Sequence, residues 1–161
     1  MSESPPENPR ARLPIQGLIE LGDERPEGER PRVLALDYGS ARCGCALSDP
    51  TGTLATPIDP VPAPGTRRGL SLLADLVAER EVGRVVVGLP LSLSGADSAQ
   101  TTEAREFARR LSRRLGPGVP VEVHDERFTT RLAQRTGGRA ASEDSRAAAA
   151  LLEGWLAARV G

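Results

Sequence analysis

Apolar residues along this chain gather in short uninterrupted runs, separated by polar or glycine- and proline-rich stretches. The first run, residues 33–36 (VLAL), is continuous, so it reads as a strand buried on both faces, and it ends abruptly in Asp37. A turn of Tyr38, Gly39, Ser40, Ala41 and Arg42 leads to a second run, residues 43–47. That connection is too short for a parallel return, so the two strands form an antiparallel hairpin. Asp49-Pro50-Thr51-Gly52 is turn chemistry and introduces a third strand over residues 54–58, whose Pro57 suits a sheet edge. A Pro/Gly-rich linker over residues 60–65 follows.

Beyond the linker the period changes. Leu70, Leu73, Ala74 and Val77 recur at helical spacing and predict a helix over 67–80. Residues 85–89 form another buried strand, closed by Gly88-Leu89-Pro90. A loop with Ser92, Ser94, Gly95 and Asp97 then enters a second helix over 98–115. Ala104, Phe107, Ala108, Leu111 and Leu115 make its apolar stripe. Arg105, Arg109, Arg110, Arg113 and Arg114 cover the remainder. Such a set is ordinarily a solvated face; a phosphate-contacting face is the sharper alternative. Gly116-Pro117-Gly118 stops the helix. Residues 119–124 read as a fifth strand ending in Asp125-Glu126-Arg127. Thr129 or Thr130 can cap a short helix that stops at Gly137-Gly138. Ser142 can cap a last helix, with Glu143 and Asp144 in its first turn and an apolar run over 147–160. The order β-β-β-α-β-α-β-α predicts an α/β fold, a mixed sheet with helices on both faces. The right-handed crossover rule puts the fourth strand beside the first and the fifth beyond it. The outcome is the ribonuclease H-like arrangement, a five-stranded mixed sheet in the order 3-2-1-4-5.

Composition narrows the class without changing this picture. With 161 residues, 27% charged and 39% hydrophobic, the chain has the makings of one globular domain, and only 2% aromatic content leaves aliphatic side chains and alanine to form the core. Residues 1–31 carry seven acids against four arginines, a net charge of −3, and are rich in proline and glycine. They read as a disordered or loosely docked extension, within which residues 13–21 (LPIQGLIEL) are apolar enough to dock. The domain proper is expected over 32–161, where 17 arginines face 15 acids, net +2. That mild basicity is compatible with nucleic-acid binding. Cys43 and Cys45 share one strand face and read as small buried packing, and no second Cys or His cluster completes a zinc site. No apolar stretch reaches the ~18 residues of a membrane span, and the N-terminus lacks a secretory pattern, so a cytoplasmic protein is expected.

Strands one, four and five would be parallel, and parallel sheets bind ligands beyond their carboxyl ends. Asp37 and the Asp125-Glu126 pair therefore converge there, and the start of the last helix brings Asp144 into range. Converging carboxylates repel unless cations neutralise them, and hard divalent cations take oxygen ligands. Two such ions could activate water and stabilise the leaving oxygen of a phosphodiester. Each acid also has a plainer reading. Asp37 could cap a turn, Asp144 could answer the helix dipole, and Asp125 and Glu126 could pair with Arg127 or another arginine. His124, the only histidine, reads as a core or edge residue before a catalytic base.

In order and spacing together, LDYGSARCGCALSDP, VVVGLP, DERFTT and DSRAAAALLEGWL resemble the YqgF/RuvX family, described as Holliday-junction resolvases and as pre-16S rRNA nucleases. The resemblance covers residues 33–158. It implies a ribonuclease H-like fold, a cytoplasmic location and nuclease activity dependent on Mg2+ or Mn2+, with two ions. It further implies a role in rRNA maturation or recombination. The expected partners are pre-rRNA or branched DNA and ribosomal precursor particles; the apolar runs give no membrane association, and monomer and homodimer both stay open. It assigns catalysis and metal binding to Asp37, Glu126 and Asp144, with Asp125 supporting, and phosphate contacts to Arg42, Arg127, Gly39 and Ser40. Two departures stand out. Between Thr130 and Asp144 only RLAQRTGGRAASE remains of a longer basic segment, and the GLPLSLSG loop lacks the acid that often precedes its glycine. Two other readings compete. An ATP-binding protein of the actin/Hsp70/sugar-kinase type shares the fold, but closes two related domains around its nucleotide where this chain has length for one. A non-catalytic nucleic-acid or ribosome-associated module would keep the fold alone.

Overall fold

The computed structural model describes residues 31–89, 99–125 and 142–160. The apolar segment 13–21, the short helix expected after Thr129, and Glu126 and Arg127 lie outside the described residues.

Strand β1 (Arg32–Asp37) is central, and its four middle residues are buried. Alternation sends Leu34 and Leu36 to one face and Val33 and Ala35 to the other, so helices must cover both. Burial of each such leucine contributes about 2 kcal/mol. The tight turn returns the chain as β2 (Arg42–Ser48), antiparallel to β1, and β3 (Ala55–Pro62) pairs with β2. Helix α1 (Arg67–Glu79) starts on Thr66, whose hydroxyl accepts from the Gly69 N–H at 3.0 Å. Strand β4 (Val82–Leu89) then lies parallel to β1, helix α2 (Ala99–Leu115) follows, and β5 (Val121–Asp125) lies parallel to β4. Helix α3 (Glu143–Val160) ends the chain, and the Ser142 hydroxyl caps it by accepting from the Ser145 N–H at 3.1 Å.

The sheet order is β3-β2-β1-β4-β5, as expected from the chain. Helices α1 and α2 cover one face through Leu70, Leu73, Phe107 and Leu111. Helix α3 covers the other through Ala148, Leu151, Leu152 and Trp155. One boundary differs in kind. Residues 60–62 belong to β3 and are no linker. Its prolines are tolerated because β3 is an edge strand, where a missing N–H costs no ladder bond, and a register shift between Cys43 and Cys45 re-aims the pairing. Strand β4 begins three residues earlier than the apolar run, and β5 begins at Val121 because Gly116 to Pro120 are spent on the turn.

Candidate active site

Asp37 closes β1 on the face of Val33 and Ala35, the face that α3 covers. Its register partners are Gly44 on β2 and Gly88 on β4. The acid therefore lies between two positions that carry no side chain. Gly44 has a further consequence. A Cβ there would fall 1.9 Å from the Asp144 carbonyl oxygen, 2.2 Å from its carbon and 2.8 Å from the Ser145 nitrogen. The first turn of α3 thus rests on the bare backbone of β2, and this brings Asp144 beside the strand that pairs with Asp37.

Ser145 fixes that approach. At the β2–β3 bulge its buried hydroxyl accepts from the Cys45 N–H at 3.3 Å and donates to the Ile58 carbonyl at 2.5 Å. It inserts where the register partners Cys45 and Ile58 face each other, so neither backbone group is left orphaned. The opposite end of α3 is tied to β5. Glu122 accepts from Trp155 Nε1 at 2.7 Å and from Arg159 at 3.1 Å, and Arg84 lies 3.7 Å away. Helix α3 accordingly crosses the sheet obliquely, from β2 and β3 at its start to β5 at its end.

Arg42, the first residue of β2, forms an ion pair with Asp144. The arginine side chain is 66% exposed and the aspartate 35%, so the pair is open to exchange with other ions. Asp37 and Asp144 both act on the buried Cys43 thiol. Its hydrogen-bonded neighbour Cys45 and its burial push that thiol well above the usual range, and the charges of Cys45, Asp37 and Asp144 add to the shift. Both cysteines are free and buried, as their spacing suggested. In the β1–β2 turn a Cβ on Gly39 would meet the Arg42 carbonyl at 2.7 Å, while Ser40 is exposed. Tyr38 packs on Phe107 at 4.7 Å between ring centroids. Burial, then the charge of Glu103, raises its phenol above the ordinary 10.

His124 continues the row that starts at Asp37, as the register partner of Gly88. It shares the α3 face with Glu122, and two strand spacings separate it from Asp37, about 10 Å. The side chain is half-buried on the outer strand, and its Nε2 is buried without a hydrogen-bond partner among the described residues. A histidine on a strand of valines gives no sequence signal for this, because the row exists only once β4 places Gly88 between β1 and β5. Ser145 was likewise missed. Its one available signal was a small polar residue inside the first turn of an otherwise apolar helix.

The arrangement brings together Asp37, Asp144, Arg42, Gly39 and Ser40 around the β1–β2 turn and the start of α3. The backbone of Asp125 ends β5 at the same sheet edge, paired with Leu89, and Glu126 and Arg127 follow outside the described residues. Among those residues no cluster of three or more potential ligands is assembled. Two carboxylates of oxygen character, one neutralised by a displaceable guanidinium, suit a hard divalent cation, which commonly takes one or two carboxylates and completes its shell with water.

Residues 31–158 match the family model described as "RuvX: Holliday junction resolvase". A protein of Rhodococcus opacus (strain B4) named "Putative pre-16S rRNA nuclease" is 40% identical over 156 residues, covering 85% of each chain. Proteins of the same name from Mycobacterium leprae (strain TN) and Mycobacterium tuberculosis (strain ATCC 25177 / H37Ra) are 43% and 41% identical. The first alignment covers 80% of this chain and 73% of the relative, the second 86% of both. Among solved structures, Thermus thermophilus RuvC in complex with Holliday junction substrate superposes with a TM-score of 0.57 at 14% identity, covering 82% of this chain and 97% of that one. A second Thermus thermophilus RuvC structure gives 0.55 at 16% identity, covering 81% and 96%. At these identities the likeness is one of fold.

Proposed function

The chain belongs to the RuvX family, and from that membership we propose that it is a divalent-cation-dependent nuclease hydrolysing phosphodiester bonds in structured RNA. The proposed substrate is the 5′ end of pre-16S rRNA, in the cytoplasm and on ribosomal precursor particles. The observation that carries this reading is the meeting of Asp37 and Asp144 across Gly44 at the carboxyl edge of the parallel strands. The names of relatives that align over 85% of their length support the RNA substrate. No described helix is long and apolar enough to cross a membrane.

Asp37, Asp144 and Glu126 would hold Mg2+ or Mn2+, with Asp125 in support. When bound, the cations supply Lewis-acid activation of water and neutralise charge at the departing oxygen. The chain's own residues do the remaining work. Asp37 is rigid because its strand is paired on both sides. Ser145 and Ser142 hold the α3 start, and so Asp144, in place. Gly39 and Ser40 leave the β1–β2 turn low and polar, where a phosphate can approach the backbone. Arg42 exchanges its pairing with Asp144 for a phosphate oxygen as substrate arrives, and Arg127 is assigned the same task.

The test is a cleavage assay on a pre-16S rRNA 5′ fragment and on a four-way DNA junction, with Mg2+, Mn2+ or chelator, beside a measurement of mass in solution. Expected is cation-dependent RNA cleavage that falls about 1000-fold in Asp37→Asn and in Asp144→Asn, equivalent to about 4 kcal/mol of transition-state stabilisation. Junction cleavage by a dimer would instead favour a resolvase. Metal-independent binding with no cleavage of either substrate would leave the non-catalytic module standing.

A further inference from the structure

The five arginines of α2 separate into sets with different surroundings. Arg110 donates to the Gly65 carbonyl at 2.6 Å and Arg114 to the Ser71 hydroxyl at 3.4 Å, fastening α2 to α1 and the segment before it. Arg105 and Arg109 lie on another flank. With Ser112 they form one wall of a groove of about 470 Å³ between α2 and β5, whose floor is Val121 and Val123. Strand β5 is the outer strand of the described sheet, and Val123 is 39% exposed. Among the described residues the acid lining the groove is Glu122, which is already engaged by Trp155, Arg159 and Arg84. Arg109 is held by Glu106 at 3.3 Å in an ion pair exposed on both sides, the kind with little net strength.

The groove points towards the same edge of the sheet as the acidic site but on the opposite face, since Val121 belongs to the side that α1 and α2 cover, Val123 shares its parity, and Asp37 belongs to the side that α3 covers. Strand β5 runs towards Asp125 at the carboxyl edge, and α2, joining two parallel strands, runs the opposite way. Arg105 is therefore nearest that edge, and Arg109 follows about 6 Å further along the helix axis.

We propose that this groove is a track for a single strand of the nucleic acid that rounds the carboxyl edge of the sheet from the acidic site, with successive phosphates on Arg105 and Arg109 and sugar or base surface against Val121 and Val123. The proposal rests on the nuclease reading for its direction, although the binding it asserts does not require cleavage. Charge selects the occupant. Helix α2 carries five arginines against two glutamates, a net charge of +3, so a second copy presenting the same helix would be repelled where a polyanion is attracted.

The test uses the full-length chain carrying Asp37→Asn, so that binding is read without cleavage, and a labelled 12-nucleotide single-stranded RNA titrated across a salt series. Adding Arg105→Glu with Arg109→Glu is expected to weaken binding at least 10-fold and to flatten the dependence of log affinity on log salt by about 1.4, near 0.7 per lost phosphate contact. The matched control, Arg80→Glu with Arg113→Glu, changes the same charge at exposed positions outside the groove and is expected to cost less than 3-fold. Should charge reversal unfold α2, Arg105→Gln with Arg109→Gln must give the same ranking. Equal losses in groove and control variants would reduce the effect to net charge and overturn the proposal. Unchanged binding would overturn it too, as would a wild-type dimer that the groove variants convert to monomer without weakening RNA binding. Cleavage by the chain with Asp37 restored is scored separately. Its absence, with groove-dependent binding intact, defeats the nuclease reading and leaves the groove standing.

Discussion

Gly44 lies so close to Asp144 that a Cβ on the glycine would sit 1.9 Å from the aspartate's carbonyl oxygen. The obstructing atoms are helix backbone, which cannot rotate aside as a side chain can. Gly44→Ala must therefore lift the start of α3 off β2. We expect a loss of about 3 kcal/mol in chemical denaturation, at the upper end for overpacking, and a loss of cleavage larger than stability alone explains, measured where the variant is still folded.

Ser145 tests the same contact more gently. Removing its hydroxyl leaves the Cys45 N–H and the Ile58 carbonyl without the bridge between them. Ser145→Ala is expected to cost about 1–3 kcal/mol and to lower the cleavage rate by loosening Asp144. Unfolding curves matching the wild type would show that water replaces the bridge and that the serine positions nothing.

Arg42 stands where a cation would compete for Asp144. Arg42→Gln is expected to alter stability by less than about 1 kcal/mol, because the pair is largely exposed. It should tighten Mn2+ binding several-fold while raising KM for RNA. Weaker Mn2+ binding in this variant would contradict the role of displaceable counter-ion.

Asp49 gives a pH dependence with a definite sign. Burial opposes its ionisation, but hydrogen bonds from the Thr51 hydroxyl and the backbone N–H groups of Leu54, Thr53 and Thr51 prevail and hold it at about 2, below the reference 3.8. A depressed acid contributes stability that is present above 3.8 and is lost as pH falls through about 2. Asp49→Asn should therefore unfold more readily than wild type at pH 7, and the difference should close near pH 2. A gap that persists in acid would show that the carboxylate charge is not what holds the β2–β3 turn.

Much of the fold is legible in the chain itself. Uninterrupted apolar runs and turn residues revealed the strands, and connection lengths then settled which of them run parallel. The acid at the end of β1 stood out because a charge terminating a buried strand requires an explanation. The extension of β3 through Pro60 and Pro62 was not legible, since proline reads as a breaker until the strand is known to lie at an edge. Nor were the separate duties of the α2 arginines. Five like charges on one helix look equivalent until Gly65, Ser71 and β5 are placed around them.

The sequence by itself determined the order of elements, the sheet topology, the cap at Ser142 and the candidacy of Asp37 and Asp144. Those properties follow from local spacing, from turn chemistry and from the handedness of the chain. The tertiary structure alone decided that Gly44 and Gly88 flank Asp37, that Ser145 bridges β2 and β3, that Arg42 answers Asp144, and that His124 ends the row Asp37 begins. These relations join residues up to 102 positions apart. No periodicity carries them, because each depends on strand register and on how close two backbones come.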